Sequence, residues 1–208
     1  MTMWDLPPPD PGVEIVVATR GMSKGIAQTE GPQLIARPFV QLGPVQVGAQ
    51  WKNVSSPVAG GEAAAFANVA PKLGQFQLNL GIAYKFQTGV KEPTDDKSWE
   101  FTGSVARKFG KMSLRLAAVY SPDDLGGARR SIFIEGGPTV EIDKSTRISA
   151  AIGRRDRIKG DDYTAFNVGV TRTIFKGVTL DARFYGTNRS DISEFFEDRF
   201  VATARLAF

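Results

Sequence analysis

The chain has 208 residues, a formal net charge of +4 and a mean hydropathy of −0.17, with 42% hydrophobic and 23% charged residues. That length holds one large all-β domain or two small ones. It contains neither histidine nor cysteine, which excludes imidazole bases, Ser-His-Asp triads, disulfides and the usual zinc sites. No enzymatic activity and no cofactor is therefore expected. Positive charge is scattered, without a basic tail or helix, so nucleic acid is not an expected partner. No apolar run approaches the roughly 20 residues of a spanning helix.

Residues 1–12 form a proline-rich lead-in, with Pro7, Pro8, Pro9 and Pro11. They lack a charged segment followed by an apolar one. A signal peptide removed or replaced is the expectation; a cytosolic chain that never had one is the alternative.

Residues 13–208 read as a single β domain. Val13, Ile15 and Val17 open the series, and a long loop from Gly21 to Gly31 follows. Leu34, Ala36, Pro38, Val40 and Leu42 form the next apolar face, turned at Gly43-Pro44 into Val45, Val47, Ala49 and Trp51. Glu62 to Lys72 is ambiguous, because its alanines suit a short helix while Pro71 suits a strand end. Phe76, Leu78, Leu80, Ile82, Tyr84 and Phe86 alternate cleanly with polar or small residues. Trp99 to Phe109 and Met112 to Tyr120 follow, then an expected long loop from Ser121 to Arg130. Strands on Ile132, Ile148, Phe166 and Val178 alternate with a turn at Asp143–Ser145, a charged loop from Arg154 to Asp162 and a turn at Lys176-Gly177. A loop from Gly186 to Glu197 leads to the closing strand, which places Phe200, Ala202, Ala204, Leu206 and Phe208 on one side.

This period of two, with tight and long connections in alternation, predicts an antiparallel up-and-down transmembrane β-barrel of about twelve strands, with short periplasmic turns and longer outer loops. The rings add to the case. Phe76 with Tyr84, Phe101 with Phe109, and Phe200 with Phe208 lie eight residues apart on one face. Eight tilted residues span roughly 20 Å, close to the ~25 Å apolar band of such barrels. Arg107 and Arg172 break the apolar parity close to the short-turn end, where an arginine can snorkel to the interface. A soluble sandwich or lipocalin-like barrel, with these apolar faces turned inward around a greasy ligand, is the competing architecture.

The closing strand resembles the signal recognised by the outer-membrane barrel assembly machinery, with Phe200, Leu206 and Phe208 as its residues. Lys24-Gly25-Ile26-Ala27-Gln28-Thr29, within Ala18 to Gly31, resembles the first-strand-to-loop signature of TorF-family putative porins, which typically reads Arg-Gly-Ile-Ser-Gln-Thr. The aromatic that usually precedes that motif is missing here. The resemblance covers about the first fifty residues and implies a porin-like outer-membrane barrel in a Gram-negative envelope, surrounded by lipid. It names no substrate. A loop anchor folded back on the rim is as good a reading of this motif as a ligand site.

With the apolar parity facing lipid, the opposite parity faces inward. The inward bases are then Arg20, Arg37, Lys52, Lys85, Lys108, Arg115, Arg147, Arg155, Arg183 and Arg205. The inward acids are Glu14, Glu100, Glu135, Glu141 and Asp181. Arg37, Lys52, Lys85, Arg115, Glu135, Arg147, Asp181, Arg183 and Arg205 are the candidate pore-lining residues. A bore of this size lies between filled small barrels and open porins, and rings of Arg and Lys favour anions. The expected function is a narrow diffusion channel for small anionic or zwitterionic solutes. The alternatives are a non-conducting barrel, whose charges pair into a plug and whose loop Ser193–Phe196 or N-terminus meets a partner, and a soluble binder of apolar ligands.

Overall fold

In a computed structural model, which describes residues 8–56, 59–90, 95–125 and 128–208, twelve antiparallel strands close into a barrel. The wall strands are β1 (Asp10–Ala18), β4 (Gln33–Leu42), β5 (Val45–Asn53), β6 (Gly61–Val69), β8 (Phe76–Thr88) and β9 (Lys97–Phe109). They continue as β10 (Met112–Asp124), β11 (Arg129–Glu141), β12 (Thr146–Arg157), β13 (Tyr163–Phe175), β14 (Val178–Thr187) and β15 (Arg199–Ala207). Each pairs with its neighbour in sequence, and β15 returns onto β1 with Ile15 opposite Leu206. Three short strands stand apart from the wall series. These are the loop hairpin β2 (Met22–Ser23) and β3 (Ile26–Ala27), and β7 (Lys72–Leu73), which folds against the start of β8.

The two faces separate by chemistry. Leu80, Ile82, Leu114, Leu116, Ile134, Ile152, Phe166 and Phe200 are all exposed on the outside, whereas Lys52, Glu62, Lys85 and Arg155 are buried inside. A soluble barrel with an apolar interior is thereby overturned, since here the greasy side chains coat the exterior. Cross-strand ring pairs build one aromatic belt: Tyr84 with Trp99, Phe101 with Tyr120, and Phe166 with Phe184, at 4.9, 6.4 and 6.2 Å. Near the short-turn end, Arg107 on the lipid face lies 5.5 Å from the ring of Phe76 and 4.8 Å from that of Phe109. It also donates to Gln75 at 2.7 Å, so its charge is anchored rather than bare in the apolar band.

The tight connections follow local chemistry. Gly43, Gly110 and Gly177 take positive φ at the short turns. Asp143 accepts from the backbone and hydroxyl of Ser145 and from the backbone of Thr146. These bonds hold its carboxyl down at about 2.

The ambiguous Glu62–Lys72 stretch resolves as β6, paired on both sides by β5 and β8, and no α-helix occurs among the described residues. Two expected loops are corrected. Ser121 to Arg130 is mostly strand, because β10 runs to Asp124 and β11 starts at Arg129. Arg154 to Asp162 likewise contributes to β12 as far as Arg157. In both, the continuing ladder carries polar residues such as Ser121 and Ser131 on its inner face, which erases the apolar alternation that marks a strand. At the other end, β1 begins at Asp10, paired with Gln41, ahead of the expected Val13. Residues 1–7 of the proline-rich lead-in lie outside the described residues.

Candidate functional site

The loop after β1 organises the interior. Thr19 pairs with Ala202 across the seam, and the chain then turns into the barrel as the β2–β3 hairpin. Its two-residue turn is Lys24-Gly25, with φ of 51° and 83°. This is the doubly positive turn that matches strand twist in the tightest hairpins. Gly25 is required twice over. Its φ is unfavourable for side chains, and a Cβ there would lie 2.2 Å from the Cβ of Ala165 on β13. Lys24 tolerates its left-handed backbone only because its surroundings fix it.

Those surroundings are extensive. Gln28 donates its backbone N–H to Gly21, and its side chain accepts from Lys52 at 2.7 Å. Thr29 is 1% exposed, accepts from the Gly21 N–H and donates to the Gly31 carbonyl. The Tyr163 hydroxyl donates to the Lys24 carbonyl at 2.8 Å. Ile26 packs against a small apolar cluster of Tyr163, Ala165 and Phe196, the last brought in by a short 3-10 turn at Glu194–Phe196. Phe196 of the loop considered for a partner is therefore spent within the molecule, edge-on to Tyr163 at 5.1 Å.

Lys24 enters a continuous chain of charges. Lys52 meets Glu62 at 3.1 Å, Glu62 meets Lys85 at 3.3 Å, and Lys85 meets Glu100 at 3.3 Å. Glu100 meets Lys24 at 2.8 Å, Lys24 reaches Asp124 at 3.5 Å, and Asp124 pairs with Arg155 and accepts from Ser131. A loop residue that touches β9 and β10 while its neighbours touch β5 and β13 can do so only from inside the barrel. Burial pushes the Lys24 ammonium below the usual lysine range, while Glu100 and Asp124 pull it back.

The other candidate pore-lining residues fall below this layer, towards the short turns. Arg115 pairs with Glu135 at 3.2 Å, and both are partly open. Arg183 lies flat on the wall, bonded to Asp181, Asn167 and Ser149. Gly169 makes this possible, since a Cβ there would meet the Arg183 guanidinium carbon at 2.9 Å. Asp181 is further held by the Thr171 hydroxyl at 2.6 Å. Arg37 and Arg205 share Glu14 at 4.0 and 3.6 Å, and Arg37 also covers the Phe66 ring at 4.2 Å. Arg147 is exposed beside Glu141 in the ladder, with no ion pair among the described residues.

Sequence reasoning missed Lys24, Glu62 and Asp124. Lys24 and Asp124 sat in expected loops, and unbroken alternation from Ser121 would place Asp124 on the outer face, whereas a register shift between the two brings it inside. Glu62 was hidden in the alanine-rich segment. The match of Lys24 to Thr29 with a loop signature was the one signal that pointed here.

Three cavities meet at the hairpin. The largest, about 450 Å³, lies between its tip and β10–β14; one of about 280 Å³ faces β4–β9; one of about 250 Å³ opens towards the long loops. Ser23 lines all three. Among the described residues, no cluster of acidic side chains is placed to hold a metal ion.

A twelve-stranded barrel with a lipid-compatible exterior, a charged interior and an inward-folded first loop has the architecture of outer-membrane porins. The chain belongs to Gcw_chp, a bacterial protein family of unknown function that matches residues 58–205. A KdgM porin in complex with disordered oligogalacturonate superposes with a TM-score of 0.67 at 9% identity, covering 95% of this chain and 99% of that one. A NanC porin gives 0.58 at 11% identity over 94% and 97% of the two chains. The COG4313 outer-membrane channel from Pseudomonas putida F1 gives 0.58 at 11% identity over 95% and 94%. At such identities the likeness is one of fold. No curated protein matches the sequence.

Proposed function

We propose that the protein is a narrow diffusion channel of the bacterial outer membrane for small anionic or zwitterionic solutes. The observation that carries this reading is the cationic excess of an interior with cavities on both sides of the hairpin. Lys52, Lys85, Lys24 and Arg155 face only Glu62, Glu100 and Asp124 in the charge chain. Lower down, Glu14 serves both Arg37 and Arg205. In a narrow lumen such fields are weakly screened and concentrate anions. The porin-fold neighbours support transport over enzymatic activity. The TorF-family resemblance, carried by residues 18–31, is the finer family assignment and lies upstream of the matched 58–205 segment. Insertion would follow recognition of β15, through Phe200, Leu206 and Phe208, by the barrel assembly machinery.

The test is the reversal potential in a salt gradient across a planar bilayer. Anion preference is expected, and Arg115→Glu combined with Arg183→Glu should weaken or invert it; cation preference in the unmodified protein contradicts the reading. A second reading, a non-conducting barrel serving as a structural or interaction module, is favoured by the continuous chain of ion pairs between the cavities. It requires zero conductance under the same conditions.

A further inference from the structure

The largest of the three cavities at the hairpin has a composition that a simple anion filter would lack. Its ceiling is the hairpin tip, where Lys24 and Glu100 hold each other. Small residues Ala117, Gly137 and Ala151 on β10, β11 and β12 leave room in its wall, beside the larger Phe133 and Tyr185. Of its arginines, Arg183 makes four hydrogen bonds to Asp181, Asn167 and Ser149. Arg115 has one bond, to Glu135, and its side chain is 54% exposed. The cavity therefore presents one accessible guanidinium and one accessible carboxylate, side by side. Its volume of about 450 Å³ falls within the roughly 300–1,000 Å³ of single small-molecule sites.

We propose that this chamber is a binding site for a compact zwitterion, whose carboxylate takes Arg115 and whose ammonium takes Glu135. The inference rests on the diffusion-channel reading and narrows its solute to the zwitterionic class. An exposed ion pair contributes little to stability, so opening it costs little. A solute carrying both charges a few bonds apart replaces one weak pair by two charge-assisted ones. A simple anion engaging Arg115 instead leaves Glu135 unpaired beside it, and a simple cation leaves Arg115 unpaired. With Lys24 and Glu100 paired above and Arg183 bonded to Asp181, the Arg115–Glu135 pair sets which solutes dwell in the chamber, while the cationic excess of the lumen as a whole sets which ions enter it. Arg115 and Glu135 are thus the specificity-determining residues, and the hairpin tip is the roof.

Calorimetric titration of the detergent-solubilised barrel tests this without requiring conduction. The probes are β-alanine, propionate and propylammonium, of matched length. β-Alanine should bind roughly tenfold or more tightly than either single-charge probe. Arg115→Gln and Glu135→Gln should each remove that advantage, and the exchanged double variant R115E/E135R should restore it. Propionate binding as well as β-alanine, no binding of any probe, or an advantage untouched by both single variants would each overturn the proposal. Bilayer conductance on the same preparation reports separately on the channel reading: a barrel that conducts yet ignores β-alanine disproves the site alone.

Discussion

Gly25→Val should release the first-loop hairpin and raise solute flux through the barrel. The substitution puts a β-branched side chain at φ 83° and a Cβ 2.2 Å from that of Ala165. Left-handed backbone alone costs a residue with a Cβ roughly 1–2 kcal/mol, and the contact adds to it because Ala165 sits on a paired strand. A total on the order of 2 kcal/mol shifts the ratio of seated to released hairpin roughly 30-fold. The wall does not depend on the hairpin for charge balance: without Lys24, Glu100 keeps Lys85, and Asp124 keeps Arg155 and Ser131. The variant barrel should therefore remain folded while the partition between the three cavities disappears. Liposome swelling with neutral sugars reads this directly, and swelling no faster than for the parent barrel would show that the hairpin does not limit passage.

The barrel and its two faces were legible in the sequence because lipid demands an apolar side chain at every second position. That demand is local and periodic, so Phe76 to Phe86 announces itself without any knowledge of its partners. The interior obeys no such rule. Ser121, Asp124 and Ser131 extend the β10–β11 ladder with polar side chains and a bulge, so the pattern that marks a strand stops before the strand does. Lys52, Lys85, Arg115 and Arg183 could be assigned an inner parity, yet parity alone does not say which charges pair. Arg183 folds flat because Gly169 leaves room for it, and Lys85 is bracketed by Glu62 and Glu100. Both depend on contacts between strands remote from one another in sequence. The hairpin is the extreme case, since Tyr163 donates to the carbonyl of Lys24 from 139 positions away.

Phe208→Asp should reduce the amount of barrel in the outer membrane far more than it reduces stability in detergent. Phe208 makes the last pair of the closing seam, donating to and accepting from Val13 at 3.0 and 3.2 Å. These bonds are backbone ones and survive the substitution. The residue is 76% exposed, so loss of its ring forfeits little protein contact. An acidic side chain near the interface of such a barrel costs only about 0–1 kcal/mol. Thermodynamically the variant is mild, whereas a machinery that reads Phe200, Leu206 and Phe208 on one face of β15 would lose part of its recognition surface. Immunoblots of outer-membrane fractions, set beside melting of the purified barrel, separate the two effects. Normal membrane levels would contradict the assembly role.

Single-channel recording of the unmodified protein in a planar bilayer asks whether the barrel conducts past its own hairpin. Small, discrete and stable conductance steps in potassium chloride, carried mainly by chloride, are the expected result. A barrel that inserts, shown by its heat-modifiable mobility, yet passes no current would contradict it.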